Sequence, residues 1–247
     1  MLFAFTAALI GAAQVVASPG TEPSQIVVQG SGSVKTPPNI ATVSYDVRGE
    51  GATSDAAISA MVATSGAVEK ALRSLDAGID IHSDSVRIQA VRPKDCEEPD
   101  YDGDSVHLKT GECAIKGYVA VQDYTAVTTH IRDAGTMVGF AGRRGAYNPK
   151  IESFGLSDSR AAKNAAIAAA MTDAVAKGDA IAAATAARRG AIISVSLDGA
   201  REQMMSIVVT GSRNRPSAER DDPIQVSVEP SPVETSAQVT VSYAIIR

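Results

Sequence analysis

The densest run of side chains able to do chemistry is Asp95-Cys96-Glu97-Glu98-Pro99-Asp100-Tyr101-Asp102-Gly103-Asp104. Within it Asp100, Asp102 and Asp104 recur at i, i+2 and i+4, the spacing by which the opening of a calcium loop turns oxygens toward a hard cation. The remainder of that pattern is absent. Gly103 falls two residues too early and the distal acid, Glu112, one residue too late, with no helical periodicity on either side. The stretch reads as a solvated acidic loop, with no metal site assigned and Asp100, Asp102 and Asp104 as its metal candidates.

The other reactive side chains are scattered. His82, His107 and His130 stand apart, and the plain reading is a surface or turn position for each. Arg143-Arg144, between Gly142 and Gly145, offers two guanidinium groups to an anion or a subunit contact; a solvated turn is the simpler reading. No nucleophile elbow, zinc-protease or P-loop motif is present. Gly30-Ser31-Gly32-Ser33 resembles half of a phosphate loop, but a turn follows it where a helix N-terminus would be needed. The expectation is no catalytic residue, no cofactor and no enzyme.

Residues 2–17, LFAFTAALIGAAQVVA, carry no charge and end in the small residues Val15-Val16-Ala17. This reads as the apolar core and cleavage site of a secretory signal, the run being short for a spanning helix, with an uncleaved membrane anchor as the alternative. Export puts Cys96 and Cys113 in an oxidising compartment, where an even cysteine count favours a disulfide. A bridge closing so short a loop contributes about 3 kcal/mol. A net charge of −5 argues against nucleic acid and anionic membranes as partners.

These residues are held by alternating strand and helix patterns. A linker, 18–24, precedes a strand over Gln25–Val34. Pro37-Pro38-Asn39 makes a turn, and Ile40–Gly49 alternates Ala41, Val43, Tyr45 and Val47 with polar residues. The two strands are predicted to pair as a hairpin. Ser54 is the expected cap of a helix near 54–77, ended by Gly78. Strands follow at Ile81–Val91, with Val86, Ile88 and Ala90 on one face, and at Gly117–Thr129. A short helix is predicted at Asp133–Gly142 and a strand at Tyr147–Leu156.

The long element is an Ala-rich helix near 158–189, started by Ser157 or Asp158 and closed by Gly190. Its larger apolar residues, Ile167, Met171, Val175 and Ile181, are predicted to share a side with Gly178 and Ala182. Asp173 and Lys177 form an i,i+4 pair. Strands are then expected at Ala191–Leu197, Ile224–Val228 and Ala237–Ile246. Arg201–Pro223, with Arg201, Arg213, Arg215 and Arg220, reads as a mobile insertion. The fold class is α+β with mostly antiparallel sheets. The layout from Gln25 to Thr129 is partly echoed from Tyr147 onward. Two lobes, about 25–130 and 131–247, and one continuous domain are both compatible with this order.

The ordered set of these stretches resembles the SIMPL-domain family, which includes bacterial periplasmic immunogenic proteins. The likeness runs from about Gln25 to the end. It is carried by Val28-Gln29-Gly30-Ser31-Gly32, Pro38-Asn39-Ile40-Ala41, Gly78-Ile79 and Gly117-Tyr118. Phe154-Gly155-Leu156-Ser157-Asp158, Asp173-Ala174 with Lys177, and the closing strand around Val239, Val241 and Tyr243 complete it. Asn39 stands where the family usually has Asp, and Gly178 where it usually has Ala. The resemblance implies an exported, periplasmic protein without established catalytic residues, linked to envelope and oxidative stress tolerance and in some members to ring-like or channel-like oligomers. The expected function is therefore a non-enzymatic envelope protein that self-associates, with an envelope protein or the outer membrane as a further contact. The alternative is a periplasmic ligand- or cation-binding module built on the acidic loop 95–112.

Overall fold

The computed structural model describes residues 24–93, 111–112, 114–203 and 223–247. The signal segment, Cys96 and Cys113, the metal candidates Asp100, Asp102 and Asp104, His107, and Arg213, Arg215 and Arg220 lie outside the described residues.

Seven strands and three α-helices make up the described residues: β1 Gln25–Thr36, β2 Ile40–Gly51, α1 Ser54–Leu75, β3 Asp80–Val91, β4 Gly117–Thr128, α2 Ala134–Arg143, β5 Ala146–Gly155, α3 Arg160–Ala184, β6 Arg188–Gln203 and β7 Val233–Ile246. A single 3-10 turn, Ile131–Asp133, leads into α2. The fold is α+β, with every strand pair antiparallel.

The strands form two sheets, ordered β3-β4-β2-β5 and β1-β7-β6. β1 and β2 are therefore not a hairpin, contrary to the reading from their adjacency. A two-residue hairpin needs left-handed residues in its turn. Pro37 and Pro38 hold φ near −65° instead, and the chain passes from one sheet to the other. β1 finds its partner in β7, at the far end of the sequence, with Gln25 opposite Ala244 and Thr36 opposite Val233. Asn39 fixes the crossing. Its side-chain oxygen accepts from Ser157 N at 2.8 Å, its Nδ2 donates to Ser157 Oγ at 2.9 Å, and its backbone N–H donates to Gly155 O at 2.9 Å.

In the four-stranded unit α1 lies over β2 and β4, and α2 over β5. Met61, Val68 and Leu72 meet Val43, Tyr45 and Val47 in a single buried cluster that also takes Met137, Ala141 and Phe154. Each such aliphatic side chain removed from water contributes roughly 1.5–3 kcal/mol. The cap of α1 is Thr53 rather than Ser54: its Oγ1 accepts from Ala56 N at 3.2 Å.

In the three-stranded unit α3 lies over β1 and β7. The stripe facing the sheet is Ala162, Ala166, Ala170, Ala174, Gly178 and Ala182, not the larger residues. Ile167, Met171 and Val175 flank the buried cluster, and Ile181 is exposed. The reason lies across the interface. A Cβ on Gly30 would sit 2.1 Å from Ala170 O, and one on Gly32 would sit 2.3 Å from Ala170 N. Strand and helix backbones touch there, and only small residues fit between them. Gly49 and Gly51 repeat the device beneath Ala57 and Met61 of α1, so the echo seen in the sequence is one way of seating a helix used twice.

α3 is shorter than its Ala-rich run. It stops at Thr185, Ala186 turns with φ 52°, and Arg188, Arg189 and Gly190 already belong to β6. At its start neither Ser157 nor Asp158 is the cap residue; Ser159 is, and its side chain does not cap the helix. The Ser159 hydroxyl bonds Glu202, helping to hold that carboxyl below its ordinary range, while Asp158 accepts from Arg160 N at 2.9 Å. Ile224–Val228 is not a strand. It is an extended strap across α2, where Thr136 Oγ1 accepts from Val226 N at 2.8 Å and Arg132 O accepts from Val228 N at 3.2 Å.

Candidate functional site

Three places bring together polar or apolar groups in a way that invites a function. The first joins the end of α1 to the end of β4. Asp76, 5% exposed, accepts from Thr128 Oγ1 at 2.6 Å and from Gly78 N at 2.8 Å, and its Oδ2 lies 3.1 Å from His130 Nδ1. Burial alone would raise the Asp76 carboxyl. The hydrogen bonds from Thr128, His130 and Gly78 outweigh it and leave the group below its ordinary value. His130 is half exposed and is pushed up by its bond to Asp76. A carboxylate orienting an imidazole is half of a nucleophile-activating triad. The hydroxyl beside it, Thr128, is committed twice, donating to Asp76 and accepting from His130 N at 3.0 Å. The cluster therefore clamps two elements together.

The second place is a shallow recess of about 480 Å³ on α1, lined by Gly66, Glu69, Lys70, Arg73 and Ser74. Nearby, Tyr45 and Tyr124 stack with ring centroids 5.2 Å apart. Ser65 Oγ donates to Tyr124 OH at 2.7 Å, and Tyr124 OH donates to Gln122 Oε1 at 2.7 Å. Burial, chiefly, pushes the Tyr45 hydroxyl up, so it stays neutral. Arg73 is tied to Glu69 at 2.9 Å and to Ile79 O at 3.2 Å.

The third place is a pair of strand rows that the helices of the described residues leave about half exposed. On β3, Val86 and Ile88 are 52% and 45% exposed. They stand opposite Gln122 and Ala120, so Ile88 shares the core side of the sheet with buried Ala120 yet lies beyond the reach of α1. On β6, Ile192, Val195 and Leu197 stand opposite Tyr243, Val241 and Val239, the core side of that sheet, and are 48%, 50% and 51% exposed. Each unit thus leaves its outermost apolar row open beside its helix. Contiguous apolar rows of this kind mark contact surfaces more often than isolated apolar residues do.

The residues singled out from sequence fall as follows. His82 is exposed and pairs with Asp80 at 3.0 Å; His130 joins Asp76. Arg143 and Arg144 end α2 with their guanidinium carbons 5.0 and 5.1 Å from the Phe140 ring centre. Arg201 lies in β6 and lines a polar recess with Asp198, Ser31 and Gln238. Among the described residues no group of three or more His, Cys, Asp or Glu side chains is placed to hold a metal ion, and no helix is long and apolar enough to cross a membrane. The Asp76–His130 contact escaped the sequence reading because the partners are far apart in the chain; Asp80, two residues from His82, was there to be seen.

Two open antiparallel sheets, each seated on small-residue contacts with its own helix, define the class. The chain belongs to the SIMPL family, described as a protein of unknown function (DUF541), whose model matches residues 26–243 and so takes in both sheets. No curated protein matches the sequence.

Proposed function

We propose that this chain is an exported, non-enzymatic protein of the cell envelope that works by self-association and contributes to envelope integrity or stress tolerance. The observation that carries this reading is the pair of uncovered apolar rows, Val86 with Ile88 and Ile192 with Val195 and Leu197. Burying them against another copy removes roughly 25 cal/mol of unfavourable hydration per Å². The charge-free run 2–17 supports export, and the committed hydrogen bonds of the Asp76 cluster support a structural role for the most triad-like group. Crosslinking in intact cells, followed by osmotic release of the periplasm, tests it. The expected outcome is a released protein running as covalent multimers of itself. Recovery only in the cytosol, or only as monomer, contradicts the reading.

A further inference from the structure

Among the described residues the two sheets end in four edge strands: β3 and β5 in one, β1 and β6 in the other. Proteins blunt such edges with charge, proline, bulges or a covering element, and three of the four are blunted here. On β1, Asp173 Oδ2 accepts from Ser31 N at 2.8 Å and Lys177 Nζ donates to Gln29 O at 3.0 Å, so α3 occupies the backbone groups facing away from β7. β5 carries Pro149, which has no N–H, beside Asn148 at φ 49°, and its pairing with β2 is broken twice. On β3 the register breaks between Ser83 and Val86, and Asp84 and Arg87 place charge at the break.

The edge of β6 differs. Its register with β7 also breaks, at three places, but Ala191–Leu197 contains no charge and no proline, and Ser194–Leu197, between two of the breaks, pairs with β7 without interruption. The segment also reads nearly the same in both directions: Ile193-Ser194-Val195-Ser196-Leu197. Resting on the self-association reading, we propose that β6 pairs antiparallel with β6 of a second copy about a two-fold axis through Val195, joining the two three-stranded sheets into one of six strands.

In that register Val195 faces Val195 of the second copy and Ser194 faces Ser196, while Leu197 reaches the break at Ile193. Apolar side chains meet apolar ones on the side of the sheet that carries α3, and hydroxyls meet hydroxyls on the other. A one-residue slip would set Val195 against Ser196 and lose both matches. The register irregularities on either side, between Ile192 and Ser194 and between Leu197 and Ala200, confine the pairing to this centre.

Cysteine trapping in the full exported chain reads the register directly. Directly opposed residues place their Cβ atoms about 5 Å apart, within disulfide reach. Two Leu197 residues would be about four residues apart along the strand, roughly 13 Å, beyond it. Val195→Cys is expected to give a reducible dimer under mild oxidation, and Leu197→Cys and Ile88→Cys none above the unsubstituted chain. Val195→Lys with Leu197→Lys is expected to abolish the dimer in sedimentation while leaving the circular dichroism spectrum intact. If the chain sediments as an oligomer but Val195→Cys does not trap it, or Leu197→Cys or Ile88→Cys traps it equally well, this pairing is wrong and self-association proceeds elsewhere. If the unsubstituted chain is monomeric at micromolar concentration, both this pairing and the self-association reading fall.

Discussion

Replacing Gly30 by Ala tests the contact on which the three-stranded unit is built. The added Cβ would lie 2.1 Å from Ala170 O and 2.7 Å from Ala174 Cβ, both under the 3.0 Å that real Cβ contacts keep. Neither neighbour can turn aside: one is helix backbone and the other a methyl group fixed to it. α3 must therefore withdraw along Ala166, Ala170 and Ala174, loosening their packing on Ile26, Val28, Val239 and Val241. Overpacking of a tight core typically costs about 1–3 kcal/mol, and a clash with backbone belongs at the upper end, about 3 kcal/mol. For a chain of this size each kcal/mol moves the melting temperature by about 2–4 °C, so a fall of roughly 6–12 °C is expected by calorimetry or circular dichroism. Gly66→Ala is the control. Nothing lies within 4 Å of its Cβ position in the middle of α1, and relief of the glycine penalty should stabilise the chain by about 0.5–1 kcal/mol. A Gly30→Ala variant that melts no lower than the parent refutes the backbone-contact argument.

Further outcomes follow from named contacts. Asp76→Ala leaves the Thr128 hydroxyl and the Gly78 N–H without their acceptor and should cost about 2–3 kcal/mol by denaturant titration. The same cluster sets a pH response. His130 is raised by Asp76, so its contribution is complete below the unfolded value of about 6.5 and is lost as pH rises through the higher folded value. Asp76 is lowered, so its contribution is present above about 3.9 and is lost as pH falls through the depressed folded value. His130→Ala should flatten the alkaline limb of a melting-temperature profile; an unchanged limb rules out the pair as its source. Gly178→Ala should destabilise despite better helix propensity, because its Cβ would meet the Tyr243 ring at 3.1 Å and Arg189 Cδ at 2.9 Å, whereas Tyr243→Phe should be neutral or stabilising, since that buried hydroxyl has no hydrogen-bond partner among the described residues. Asn39→Asp keeps the acceptor for Ser157 N and should leave thermal stability nearly unchanged, while Asn39→Ala should lower stability by about 1–2 kcal/mol.

The elements that sequence made legible are those whose pattern is local. β2 alternates cleanly through Ala41, Val43, Tyr45 and Val47, all buried, and α1 repeats Met61, Val68 and Leu72 at helical spacing. Alanine content marked α3, and the Asp173–Lys177 pair forms at 2.7 Å. What failed was partnership at a distance. Periodicity identifies a strand but not its neighbour, so adjacency points to β2 where the mate of β1 is β7. Side-chain size misled on α3, because the glycines that dictate a thin interface sit on β1, far off in the chain. Ile224–Val228 had the composition of a strand, yet its backbone groups are taken by Thr136 and Arg132. The polar sites fared likewise: Asp76 with His130, and Ser65 with Tyr124, each unite α1 with β4 or the turn just beyond it, and no spacing rule connects them.

Sedimentation velocity of the chain from Ser18 onward, at micromolar concentration, decides whether copies of this chain associate. A species at least twice the monomer mass, sensitive to lysine at Val195 and Leu197, is expected. A single monomeric boundary across that concentration range would contradict it.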